Sequence, residues 1–235
     1  MVLQIPRDRQ APLVTWEPLP ADFVLPDDPV ENIQQPTLAA ALTDALGASG
    51  LIQPQMLIAS NFGIVATLDQ KTVVKAPDWL YVPQTYPTPD GAIRRSYTPL
   101  FEGQPVAIVM EFLSDHDAGE YSVRPTFPYG KLYFYEAILK VPTYVIFDPY
   151  QLSLEVRSLG EGDTYVLQTP SADGRYWIPE LQLFLGCWYG TRLGTTTHWL
   201  RWWDASGKLL LWSSEQAERL AAKLRELGVD PDALV

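Results

Sequence analysis

Three charged residues sit at the ends of apolar segments, and their types suit metal-assisted hydrolysis. Asp78 precedes the apolar run of KAPDWLYV, Glu111 follows the apolar residues of VAIVMEFLSD, and Lys131 opens KLYFYEAILK. A carboxylate at the mouth of a buried strand is costly unless a protein cation or a metal pairs with it. One loop separates the two acidic segments, so their strands can be hairpin neighbours whose carboxylates converge on one divalent cation. Mg2+ takes hard oxygen ligands, usually one or two carboxylates with several waters kept. It lowers the pKa of a bound water and stabilises charge on a phosphoryl oxygen. A nearby lysine can hold the attacking water or offset the developing negative charge. Two plainer readings stand beside this one. Asp78, after Pro77, can be a turn residue, and Glu111 can pair with Lys131 in a structural ion pair without metal.

The elements that must position these residues can be read from hydrophobic pattern. VAIVM is a continuous apolar run, as expected of a strand buried on both faces. KLYFYEAILK follows Pro128 and Gly130, precedes Pro142 and reads as a helix; TYVIFDP is a second apolar strand. Apolar strand, crossover helix, apolar strand is the βαβ pattern and predicts that the two strands are parallel. Upstream, TLAAALTDALGASG predicts a short amphipathic helix with Thr37 as N-cap and Gly47 as stop. MLIASNFGIVATLDQKTVVKAPDWLYVP holds two or three strand-like runs. The loop of residues 84–104 carries Arg94 and Arg95, either a solvated tip or a phosphate contact. The loop from Asp115 to Gly130, with His116, Asp117 and Glu120, can cover the site.

Beyond residue 150 the pattern changes to short alternating strands in an antiparallel meander, with a further hairpin around Ser206 and Gly207. HWLRWW reads as a strand with one buried face rather than a base-stacking platform. Asp148 reads as the cap of the turn after its strand. The chain closes on an amphipathic helix with a Ser213–Gln216 capping box and an apolar stripe of Ala217, Leu220, Ala221, Leu224 and Leu227, stopped by Gly228. The division is therefore an extended proline- and acid-rich arm (1–36), a main domain (37–212) and a C-terminal helix (213–235).

The composition is 47% hydrophobic and 12% aromatic, enough for a sizeable core and against global disorder. The net charge of −11 argues against tight nonspecific nucleic-acid binding and predicts weak DNA affinity without metal. No apolar run reaches the roughly 18 residues of a membrane span. MVLQIPRDRQ has no apolar stretch of signal-peptide length, so a cytoplasmic protein is expected. The single cysteine, Cys187, allows no internal disulfide and reads as a small core residue. His116 and His198 read as surface or satisfied histidines.

The segments APDWLYV, VMEFLS, GKLYFYEAILKVPTYVIFDP and WLRWWDASGKLL, in this order and spacing, resemble the Uma family of restriction endonucleases, within the PD-(D/E)XK nuclease superfamily. The resemblance covers roughly residues 37–212. It implies an α/β fold with a restriction-endonuclease-like mixed sheet: helix, three antiparallel strands, helix, strand, with the antiparallel meander appended. It also implies Mg2+, or Mn2+, bound by Asp78, Glu111 and the backbone carbonyl of Phe112, with Ser114 orienting a ligand or contacting phosphate. The superfamily lysine belongs two residues after the acid, where this chain has Leu113. In families of this type the following helix can supply it, which points to Lys131. The expectation is a Mg2+-dependent endonuclease acting on DNA, with homodimers known in the superfamily. The missing lysine and the acidic charge keep open a nuclease fold acting as a binding or assembly module, and a phosphodiesterase acting on RNA or nucleotides.

Overall fold

The computed structural model describes residues 12–20, 23, 33–88, 92–114 and 119–231. Asp115, His116 and Asp117 of the expected site-covering loop, and most of the expected N-terminal arm, lie outside them.

A six-stranded mixed sheet organises the molecule, in the order β2 (Leu57–Ala59), β5 (Trp79–Val82), β6 (Ile108–Phe112), β7 (Thr143–Asp148), β8 (Ser153–Leu159), β9 (Tyr165–Leu167). β6 and β7 are parallel and every other neighbouring pair is antiparallel. The parallel pair requires a crossover, and α2 (Lys131–Tyr133), continued by a π-helix over Phe134–Ile138, supplies it. All residues of β5 and β6 are buried, as their continuous apolar pattern demands.

Each face of this sheet carries its own layer. On one face lie α1 (Gln34–Ala48) and a separate sheet of β10 (Tyr176–Ile178), β11 (Leu183–Arg192) and β12 (Thr195–Trp203). They pack on Trp79, Tyr81, Ile108, Met110, Phe112, Val145 and Phe147. On the other face lie α2 and a small sheet of β1 (Val14–Thr15), β3 (Ile64–Leu68) and β4 (Lys71–Lys75). These cover Leu80, Val82, Val109, Tyr144 and Ile146. The sets alternate along each strand because successive side chains point to opposite faces. α1, then the antiparallel trio β2-β5-β6, then α2, then β7 is the restriction-endonuclease-like order. The sheet β1-β3-β4 is added to it, so the segment read as two or three strands holds four.

Several local expectations are corrected. α1 begins at Gln34, one turn earlier than expected, and Thr37 lies inside it, its hydroxyl donating to the Ile33 carbonyl at 2.8 Å. Gly47 is helical; the left-handed residue just past the end is Gly50, with φ 68°. The hairpin of the C-terminal half turns at Leu193 and Gly194, because β11 pairs with β12 over nine residue pairs. The Ser206–Gly207 turn returns only to a single bridge, Trp203 with Leu209. Trp199 to Trp203 of β12 are all buried, so HWLRWW is covered on both faces. Cys187 is exposed on β11. α3 (Ser213–Glu226) is capped at Trp212, whose backbone N–H donates to Glu215 at 2.8 Å, and not by Ser213 with Gln216. Its first turn is tied to α1 through Gln216 and the Ala48 carbonyl, while Leu220 and Leu227 of the apolar stripe stay exposed.

Candidate active site

Glu111 is the fourth residue of the five in β6 and is 1% exposed, so it lies inside the strand rather than at its mouth. Strand alternation puts it on the α2 side with Val109. The crossover helix then brings two donors to its carboxylate. Lys131 Nζ donates to Oε2 at 3.1 Å and the Tyr135 hydroxyl donates to Oε1 at 2.8 Å. Lys131 and Tyr135 are four residues apart and share a helix face. The helix starts tight against the preceding loop: a Cβ on Gly130 would stand 2.1 Å from the Ser122 carbonyl oxygen. A glycine is required there by close approach of two backbones.

Asp78 immediately precedes β5. The pairing of Trp79 with Met110, continued by one residue, places Asp78 opposite Glu111. Its Oδ2 accepts the Phe112 backbone N–H at 2.5 Å, which fixes it to the end of β6. The Phe112 carbonyl accepts the buried Gln35 side chain at 2.5 Å, leaving it one further lone pair.

Glu120 enters from the 3-10 turn Gly119–Tyr121. It is buried; Oε1 accepts a second hydrogen bond from Lys131 at 3.1 Å, and Oε2 is buried with no partner among the described residues. Burial, reinforced by the charges of Asp78 and Glu120, pushes the Glu111 carboxyl up to about 8, against the opposing pull of Lys131 and Tyr135. The two neighbouring carboxylates hold the Lys131 ammonium above its ordinary value despite burial, so it remains charged. Tyr135 and Tyr144 are raised well above the usual phenol range by burial and by the Glu111 carboxylate, so both are neutral donors.

The donor set of Asp78, Glu111 and Phe112 suits a hard cation: two carboxylates and a carbonyl with a lone pair left. Among the described residues no three His, Cys, Asp or Glu side chains form a ready-made metal cage.

The other expected residues fall into place around this centre. Leu113 is half-buried against the α2-side core, so the position of the superfamily lysine is apolar. Ser114 is half-buried just beyond β6. Arg94 forms an ion pair with Glu102 and donates to the Tyr86 carbonyl at 2.7 Å, a clamp within its own loop. Arg95 donates to the Phe23 carbonyl at 3.3 Å. His198 packs on the Tyr189 ring with centroids 4.8 Å apart, and Asp148 caps its turn by accepting the N–H groups of Tyr150 and Gln151. Sequence reasoning did not assign Tyr135, Gln35 or a contact of Glu120. Tyr135 was legible in principle from its spacing to Lys131. Gln35 is a lone polar residue at the start of an apolar helix, and the Glu120 contact leaves no local signal.

A mixed sheet with an acid pair on adjacent strands and a lysine from the crossover helix defines a restriction-endonuclease-like protein. A family model described as Uma2, "Putative restriction endonuclease", matches residues 24–192. The match spans well over half of the chain, which belongs to this family. No curated protein matches the chain at a significant level. No helix among the described residues is long and apolar enough to cross a membrane.

Proposed function

We propose that the protein is a divalent-metal-dependent endonuclease that hydrolyses DNA phosphodiester bonds. The observation that carries this reading is a local surplus of acid: Glu111 and Glu120 share one ammonium, Lys131, and Asp78 adds its charge beside Glu111, in a buried setting. A second cation would balance that surplus, and Mg2+ or Mn2+ is the class that takes such oxygens. Asp78 and Glu111 would hold the ion, with the Phe112 carbonyl beside them. When bound, it would polarise a phosphoryl oxygen and acidify a water. Asp78 and Gln35 keep the end of β6 in place through the two backbone groups of Phe112. Tyr135 orients Glu111 by occupying one oxygen. Lys131, charged and 28% exposed, is the group that can reach outward to orient a water or offset charge on the phosphate. With a chain charge of −11, DNA is held weakly unless the metal is present.

The test is cleavage of plasmid and single-stranded DNA with Mg2+ or Mn2+, beside Glu111→Ala and Lys131→Ala. Wild-type cleavage lost in both variants is expected. Cleavage that survives both would refute the site. No cleavage on either substrate, with no heat of metal binding by calorimetry, would replace this reading with a nuclease fold used as a binding module.

A further inference from the structure

Lys131 has two carboxylate partners at the same distance, 3.1 Å, and only one of them lies on the strand that carries the proposed metal ligands. A divalent ion on Glu111 would draw on the oxygens the ammonium now uses and would repel the ammonium beside it. An ammonium tied to Glu111 alone would either stay and exclude the ion or leave for solvent. Glu120 removes that conflict, because it offers a second buried anion from a different element.

The loop is built to keep Glu120 there. Its backbone carbonyl accepts the buried Tyr144 hydroxyl at 2.9 Å. Two residues on, the Ser122 carbonyl accepts the Tyr133 N–H at 3.3 Å and stands where any Cβ at position 130 would collide. The loop, the helix start and β7 thus hold the carboxylate over the first turn of α2. Its side chain is 8% exposed, so it is not a solvated tether.

We infer that Glu120 is the positioning residue for Lys131: it retains the ammonium at the site when Glu111 turns to a divalent cation. The inference rests on the metal-site reading above. Glu120 acts through Lys131 and is not itself a ligand of the ion.

The experiment is a double-mutant cycle on Mn2+ affinity, measured by calorimetry on the full chain with Glu120→Gln, Lys131→Met and both. In the wild-type background Glu120→Gln weakens Mn2+ binding by on the order of tenfold, a typical coupling within one ion-pair network. In the Lys131→Met background the same change alters affinity by less than about threefold, since its target is gone. Cleavage assays add a second readout: Glu120→Gln lowers kcat and leaves KM for plasmid unchanged. An equal loss of affinity in both backgrounds would make Glu120 a direct ligand and overturn the inference, as would no loss in either. Absence of Mn2+ binding by the wild-type protein would instead refute the metal site, and this inference with it. Tyr144→Phe covers the case in which Glu120→Gln does not fold. It keeps every carboxylate, releases the loop carbonyl, and shows the same dependence on Lys131 at smaller size.

Discussion

Arg201 lies in the middle of β12 with no exposed side-chain surface, between the rings of Trp212 and Trp188 at 3.4 and 5.0 Å. Its two terminal nitrogens donate to both oxygens of Glu215 at 3.1 and 2.6 Å, and one also reaches the Leu210 carbonyl at 2.9 Å. Burial lowers its pKa while Glu215 supports the charge, and a guanidinium stays protonated in this setting. Glu215→Gln keeps the shape and an oxygen to cap Trp212 but removes the countercharge. Removing one partner of a buried pair costs roughly 3–5 kcal/mol. Glu215 is 26% exposed and the amide retains some hydrogen bonding, so the low end, about 3 kcal/mol, is expected. For a chain of this size that lowers Tm by about 6–12 °C. Arg201→Met with Glu215→Gln removes both charges and leaves a thioether against the tryptophans, so it restores stability to within roughly 1.5 kcal/mol of wild type. Urea titration of the four proteins, followed by tryptophan fluorescence, measures the cycle. A Glu215→Gln cost below about 1 kcal/mol, or singles that simply add in the double variant, would refute a charged, mutually dependent pair.

Further expectations concern the candidate site. In chelator, wild-type stability falls as pH rises from about 4.5 towards 8: Glu111 takes up its proton at about 8 when folded and near 4.5 when unfolded, so the folded state binds the extra proton across that window. Chemical denaturation against pH shows a flatter curve for Glu111→Gln, and parallel curves would contradict the burial of that carboxyl. Tyr135→Phe leaves one Glu111 oxygen without its donor and lowers stability by about 1–3 kcal/mol, checked by urea midpoint; a neutral result would mean that the bond at 2.8 Å contributes nothing. Gly130→Ala forces the Ser122 backbone away from the helix start and costs about 1–3 kcal/mol, measured by thermal melting, with slower cleavage because the Glu120 loop moves with it.

What the sequence made legible follows from where burial is two-sided. β5, β6 and β7 read as continuous apolar runs because layers cover both of their faces, and the crossover between β6 and β7 fixed their parallel pairing in advance. β11 carries no clear strand pattern, because Gly186 and Gly190 interrupt it and its outer half is partly exposed. HWLRWW looks one-sided by its own pattern because its outer cover, Trp212 and the first turn of α3, comes from a later segment that local alternation does not reveal. Glu111 and Arg201 pose the same puzzle in sequence, a charge inside an apolar strand, and in each case a following helix supplies an opposite charge. The structure separates them by charge balance. Arg201 meets one carboxylate, both of whose oxygens it binds, so its charge is matched one to one although its Nε has no partner among the described residues. Glu111 shares one ammonium with Glu120, while Asp78 adds a third acid, and a buried Glu120 oxygen has no described partner. A balanced pair holds α3 to the domain. An unbalanced one is relieved by a proton or by another cation, which is the physical ground for the metal proposed at Glu111.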